Sequence, residues 1–200
     1  MTKKIICFGE VLFDVFPTHR KIGGAPLNVA LRLASLGINT QIISWIGKDE
    51  IGKELLTFIE KNGFDTDTIQ IVENLSNGQV IVQLNEKGSA SYTINYPVPW
   101  DKIICIPEDK ITLKKADAIV FGALVCRDSD SHESLLKMIN YAKYAVFDVN
   151  LRAPFYTQPI LIDLMMQSDF IKLNDDELYE ISAAMNSPYH SLEQNIVFIA

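Results

Sequence analysis

The sequence predicts an α/β fold: a doubly wound, mostly parallel sheet with helices on both faces and a small antiparallel β unit. Three observations carry this. Short, apolar, β-rich runs at 5–8, 41–45, 69–72, 118–121, 145–149, 169–173 and 196–200 alternate with amphipathic segments. Most of these runs are nearly unbroken in their apolar character, the pattern of strands covered on both faces. Residues 79–84 and 89–96, flanking Asn85-Glu86-Lys87-Gly88, instead alternate polar with apolar, which predicts a half-exposed antiparallel hairpin. The apolar face of that hairpin needs a cover: a ligand, a second subunit or the main domain. A chain of 200 residues, 48% hydrophobic and 22% charged, can bury a sizeable core.

The helices follow from their ends. Residues 53–62 come after Asp49, a candidate N-cap, align Leu55, Leu56 and Ile59 on one side, and stop at Gly63. Residues 131–143 repeat the pattern with Leu135, Leu136, Ile139 and Ala142. Pro26 after Gly23-Gly24 marks a helix start at its first turn. Asn174 with Glu177 three residues on reads as a capping box opening a helix to Ala184.

Composition narrows the function. Eighteen basic against 25 acidic residues give a net charge of −7, which argues against a nucleic-acid partner. No apolar run approaches the ~20 residues of a membrane helix, and the N-terminal apolar stretch is too short for a signal peptide. Cys7, Cys105 and Cys126 are odd in number and widely spaced, suggesting reduced thiols in a cytoplasmic protein. His19, His132 and His190 have no metal-ligand spacing. The phosphate fingerprints GxxxxGK[ST] and GxGxxG are both missing, which disfavours a nicotinamide-dependent oxidoreductase.

Four segments carry candidate chemistry. In Gly23-Gly24-Ala25-Pro26-Leu27-Asn28, the glycines let backbone approach a ligand at a helix N-terminus, with Asn28 facing it; the competing reading is a plain turn. Asp14, in Gly9-Glu10-Val11-Leu12-Phe13-Asp14, follows the first strand, where open parallel sheets gather ligands, and a carboxylate suits a sugar diol; a solvated aspartate competes. Asp148, Asn150 and Arg152 alternate with apolar neighbours and, if extended, point one way, with an Asp–Arg pair as competitor. Lys172-Leu173-Asn174-Asp175-Asp176-Glu177 is either a capping box or a carboxylate-rich turn for magnesium and phosphate.

Together these segments resemble the ribokinase-like (PfkB) carbohydrate kinases, closest to the bacterial fructokinases. The matching stretches, in the family's order, are GEVLFD, GGAPLNVALRLASLG, WIGKDEIGKELL, YPVPWDKI, FDVNLR and KLNDDEL. The resemblance implies residues 1–200 as the N-terminal two-thirds of such a domain, with the lid formed by roughly 10–18 and 77–104. It implies ATP-dependent phosphorylation of a sugar primary hydroxyl, fructose first, with ATP and Mg2+ as cofactors. Asp14, Gly23, Gly24, Asn28, Tyr92 and Arg152 would bind the sugar, and Tyr96 and Arg127 are weaker candidates. Asn150, Lys172, Asn174 and Glu177 would serve the nucleotide, Glu177 reaching magnesium through water. The lid would close over the sugar and pair two subunits.

The chain departs from the family in one respect. The family's catalytic segment is G-A-G-D, whose aspartate is the base, and this chain contains no Gly-Asp pair. It is therefore expected to be inactive alone. The alternatives are a non-catalytic sugar-binding or dimerising homologue, or a kinase for 2-keto-3-deoxygluconate, ribose or a nucleoside.

Overall fold

A computed structural model describes residues 3–84 and 90–200. The predicted turn Asn85-Glu86-Lys87-Gly88 and Ser89 lie outside the described residues. The chain runs β1 (Lys4–Phe8), β2 (Leu12–Val15), β3 (Arg20–Gly23), α1 (Ala25–Ser35), β4 (Asn39–Gly47), α2 (Glu50–Lys61), β5 (Ile69–Val72), β6 (Gln79–Leu84) and β7 (Ala90–Ile94). It continues through α3 (Pro107–Lys114), β8 (Ala118–Phe121), α4 (Ser129–Ile139), β9 (Ala145–Asp148), α5 (Gln158–Met166), β10 (Phe170–Lys172), α6 (Asp175–Ala184) and α7 (Leu192–Ile199).

The main sheet has six parallel strands in the order β10-β9-β8-β1-β4-β5. From β1 the chain steps outward to β4 and β5, then returns to the other side of β1 and steps outward again through β8, β9 and β10. The order therefore reverses between β1 and β8. Side chains of the central strands feed two cores. Ile6 and Phe8 of β1 join Leu135 and Met138 of α4 and Leu161 and Leu164 of α5 on one face. Cys7 joins Leu27 and Ala30 of α1 and Leu55 and Ile59 of α2 on the other. Successive residues of a strand point to opposite faces, so this division is the doubly wound arrangement itself.

The second sheet has four strands in the order β3-β2-β6-β7. It differs from the expected antiparallel unit: β2/β3 and β6/β7 are antiparallel, but β2 and β6 run parallel. A long crossover through α1, β4, α2 and β5 separates β2 from β6, enough chain to bring β6 back in the same direction. Residues 95–104 add no strand and contain a 3₁₀ turn at Pro99–Lys102. Val80, Val82 and Ile94 are buried in the same core as Phe8 and Phe121, so the main domain covers the hairpin's apolar face.

Of residues 196–200, expected as a strand, 196–199 form the end of α7 and Ala200 is its C-cap. A short apolar run is ambiguous between strand and helix. Here Ser191 decides it, its side chain accepting from the Gln194 N–H as an N-cap.

Candidate functional site

Ligands of open parallel sheets bind beyond the carboxyl ends of the strands, where the strand order reverses. A cavity of about 100 Å³ lies there. Glu10 follows β1, Leu124 follows β8, and Asn150 and Arg152 follow β9; all four line the cavity. Leu12, Asp14, Val80 and Ile94 of the small sheet line it too, and Gly24, Ala25 and Asn28 enter from the start of α1. Gly24 of the double-glycine turn and Asp14 thus line one hollow, and Gly23 lies beside it.

Space explains the glycines. A Cβ on Gly23 would stand 2.5 Å from Asp14 Oδ2. Gly24 has φ +111°, and a Cβ there would meet the Glu10 carbonyl oxygen at 2.2 Å. Any side chain at these positions would push the helix start away from the two carboxylates. Pro26 at the first turn fixes the helix entrance, and Asn28 N–H donates to the Gly24 carbonyl at 2.9 Å.

The cavity is acidic on one side. Burial raises the Asp14 carboxyl above its usual range, with Arg152 and Lys21 opposing. Burial also pushes Glu10, 1% exposed, up to about 7, against backbone N–H groups and the charges of Arg152 and Arg127. Glu10 Oε1 accepts from the Ala25 N–H at 3.0 Å, tying the helix start to the end of β1.

The opposite wall comes from the loop after β9. Asn150 has φ +41°, a left-handed conformation that asparagine tolerates, so residues 148–152 are not one extended run. The turn divides the three polar residues. Asn150 and Arg152 reach the cavity, while Asp148 pairs with Lys172 Nζ at 2.9 Å and not with arginine. Arg152 lies 4.9 Å over the Tyr92 ring, so Tyr92 backs the guanidinium instead of lining the hollow.

Glu177 sits behind this loop, 7% exposed. Its Oε1 accepts from the Leu151 N–H at 3.0 Å and its Oε2 from the Asn174 N–H at 2.9 Å. The Asn174 side chain accepts in turn from the Glu177 N–H at 2.9 Å. The capping box is therefore present, and one of its members also anchors the segment carrying Asn150 and Arg152. A neighbouring cleft of about 370 Å³ is lined by Asn28, Arg32, Asp148 and Asn150.

Other singled-out residues stand apart from the cavity. Arg127 makes a buried bidentate pair with Asp101 at 2.7 and 2.8 Å and lies 4.4 Å over Trp100. Tyr96 donates to Asp128 at 2.7 Å. In the GKDEIG stretch, Asp49 caps α2 by accepting from the Gly52 N–H at 2.8 Å. All three cysteines are free, and burial pushes the Cys7 thiol up to about 12. Sequence reasoning did not single out Glu10, which follows the apolar first strand after one glycine.

The pfkB family carbohydrate kinase model matches residues 1–194. The chain belongs to the pfkB family. Among curated pfkB relatives, "Probable fructokinase-7" of Arabidopsis thaliana is 25% identical over 207 residues, covering 92% of this chain and 60% of that protein. The chain spans about 60% of the length of that relative. Among solved structures, a Pyrococcus horikoshii sugar kinase in complex with ATP aligns at TM-score 0.82 and 26% identity, covering 90% of this chain and 66% of that one. A Xylella fastidiosa fructokinase with bound ATP aligns at TM-score 0.85 and 24% identity, covering 99% and 64%. Membership in the pfkB family carries the ribokinase-like fold with it, and the six-stranded parallel sheet agrees.

Proposed function

We propose that this chain is the sugar-binding part of an ATP-dependent kinase that phosphorylates a primary hydroxyl of a ketose, with fructose as the first substrate. The observation that carries this is the convergence of Asp14, Gly24, Asn28 and Arg152 on one cavity at the switch point. A polyol offers hydroxyls that donate to carboxylates and accept from amide and guanidinium groups, which is the donor set present. Gly23 keeps room for the Asp14 carboxylate, and Tyr92 steadies Arg152. The fructokinase names among the relatives support the choice of ketose.

The nucleotide side is assigned to Asn150, Lys172, Asn174 and Glu177, supported by the place of the first three at the carboxyl ends of β9 and β10 and of Glu177 in the first turn of α6. Magnesium fits these residues poorly. Both Glu177 oxygens hold backbone N–H groups, and the described residues contain no group of three His, Cys, Asp or Glu side chains able to hold a metal.

Phosphoryl transfer depends on positioned donors around the moving phosphate and on a group that accepts the sugar's proton. These 200 residues hold no G-A-G-D segment, so they bind sugar without turning it over. The three free thiols support a reducing, cytoplasmic setting. Two copies would pair through an edge of the small sheet, since its apolar face is already covered.

Calorimetric titration of the chain with fructose tests the reading. Saturable binding is expected, with Asp14→Asn at least about tenfold weaker, the loss of a hydrogen bond to a charged group. A coupled ADP-release assay should show no turnover. Absent fructose binding, or turnover of about 1–100 s⁻¹ as in ordinary kinases, overturns it. Ribose and 2-keto-3-deoxygluconate titrated alongside rank the alternative acceptors.

A further inference from the structure

We propose that Glu10 is a second direct binding residue for the sugar, its Oε2 taking a hydroxyl distinct from the one Asp14 takes. The inference rests on the sugar-site reading above and extends it. Glu10 is 1% exposed and lines the cavity. One half of its carboxyl has a structural use: Oε1 accepts from the Ala25 N–H at 3.0 Å. The other half has none, because Oε2 is buried without a hydrogen-bond partner.

A buried carboxylate oxygen left unpaired is costly, and proteins rarely leave one so without a reason. Six other buried side-chain atoms among the described residues share that condition, on Gln41, Ser44, Trp100, Arg127, His132 and Ser182. None of those residues lines the cavity; Glu10 does. Its placement is also fixed. The Glu10 carbonyl oxygen and Cγ pack against Gly24 so closely that a Cβ there would stand 2.2 and 3.4 Å from them.

The chemistry of the missing partner follows. Asp14 and Glu10 give the cavity two carboxyl groups, and Arg152 is the one basic side chain lining it among the described residues. A phosphate or carboxylate against Glu10 would add like charge in a small, partly closed space. A hydroxyl donates its proton to an ionised Glu10 and accepts one from a protonated Glu10, so it is satisfied in either form. The ligand class at this end is a neutral polyol presenting at least two hydroxyls.

The test is calorimetry with fructose and a panel of mono-deoxyfructoses on the wild-type chain, Glu10→Gln and Asp14→Asn. Glutamine keeps an oxygen for the Ala25 N–H, so a purely structural role predicts wild-type affinity in Glu10→Gln. At about pH 8, where Glu10 is ionised, the proposal predicts fructose binding about tenfold weaker. It also predicts that one deoxy sugar binds wild type and Glu10→Gln alike, while a different one binds wild type and Asp14→Asn alike. The panel on wild type and Asp14→Asn decides the matter even if Glu10→Gln does not fold: dependence on a second hydroxyl must survive in Asp14→Asn. Affinity within twofold of wild type in Glu10→Gln, with Asp14→Asn impaired, overturns the role of Glu10 and leaves the sugar site standing. No fructose binding by the wild-type chain overturns both.

Discussion

At Gly23 and Glu10, single atoms decide whether the site exists. A methyl group at Gly23 has no room beside Asp14 Oδ2, so the carboxylate keeps its place only because its neighbour lacks a side chain. Glu10 leaves a thermodynamic trace as well. Its pKa rises from 4.5 to about 7 on folding, chiefly through burial, with the Ala25 N–H, Arg152 and Arg127 pulling it back. Between those values the folded state holds a proton that the unfolded state has released. Stability must therefore fall as pH rises through that window, by about 3 kcal/mol in all, and level off above about 7. Urea unfolding of wild type and Glu10→Gln at about pH 5 and about pH 8 checks this. The stability of Glu10→Gln relative to wild type should increase toward the higher pH; a constant difference contradicts the burial argument. Asp14 and the paired glycines were legible in the sequence because their residue types are unusual after a first strand and before a helix. Glu10 was not, because a charged residue beside a second carboxylate reads as solvated until the fold encloses it.

Elements here are held by polar clips as much as by packing. Asn77, 5% exposed, is the clearest. Its side chain accepts from the Gly47 N–H at 3.0 Å and donates to the Gly47 carbonyl at 2.9 Å and to Asp49 Oδ1 at 2.6 Å. Its own N–H donates to Asp49 Oδ2 at 3.0 Å. One residue thus joins the end of β4, the cap of α2 and the approach to β6. Asn77→Ala leaves Gly47 unsatisfied in a buried place and should cost about 2 kcal/mol in chemical denaturation. Hydrogen exchange should quicken along β6 in the same variant; an undisturbed β6 would show that the clip serves α2 alone. Elements whose ends carry such chemistry were legible from sequence, as with Asp49 for α2 and Asn174 for α6. Helix α7 was misread because its apolar run, Ile196 to Ile199, outweighed the Ser191-x-x-Gln194 start signal. The parallel pairing of β2 with β6 was not legible at all, since nothing local to either strand encodes a partner so distant in the chain.

Across the whole molecule, the small sheet is not an appended flap. Val80, Val82 and Ile94 belong to the same buried cluster as Phe8, Phe121 and Phe147. The alternation seen in the hairpin is therefore spent on the chain's own core, and the pairing proposed above would use the edge strands β3 and β7. Exposed strand edges invite pairing with a second copy. Analytical ultracentrifugation at micromolar concentration should find a dimer; a monomer across the accessible range counts against edge pairing.

The hollow draws on four stretches that are remote along the chain: residues 10–28, the β6/β7 pair, Leu124 after β8, and the loop after β9. None of them makes it alone, so it comes into being only when the last has docked. Occupation by a small molecule would then act as a keystone, linking the chain's beginning to its later half. Slow exchange at all four stretches on saturation, with the outer strand β5 unchanged, is the signature such late assembly would leave.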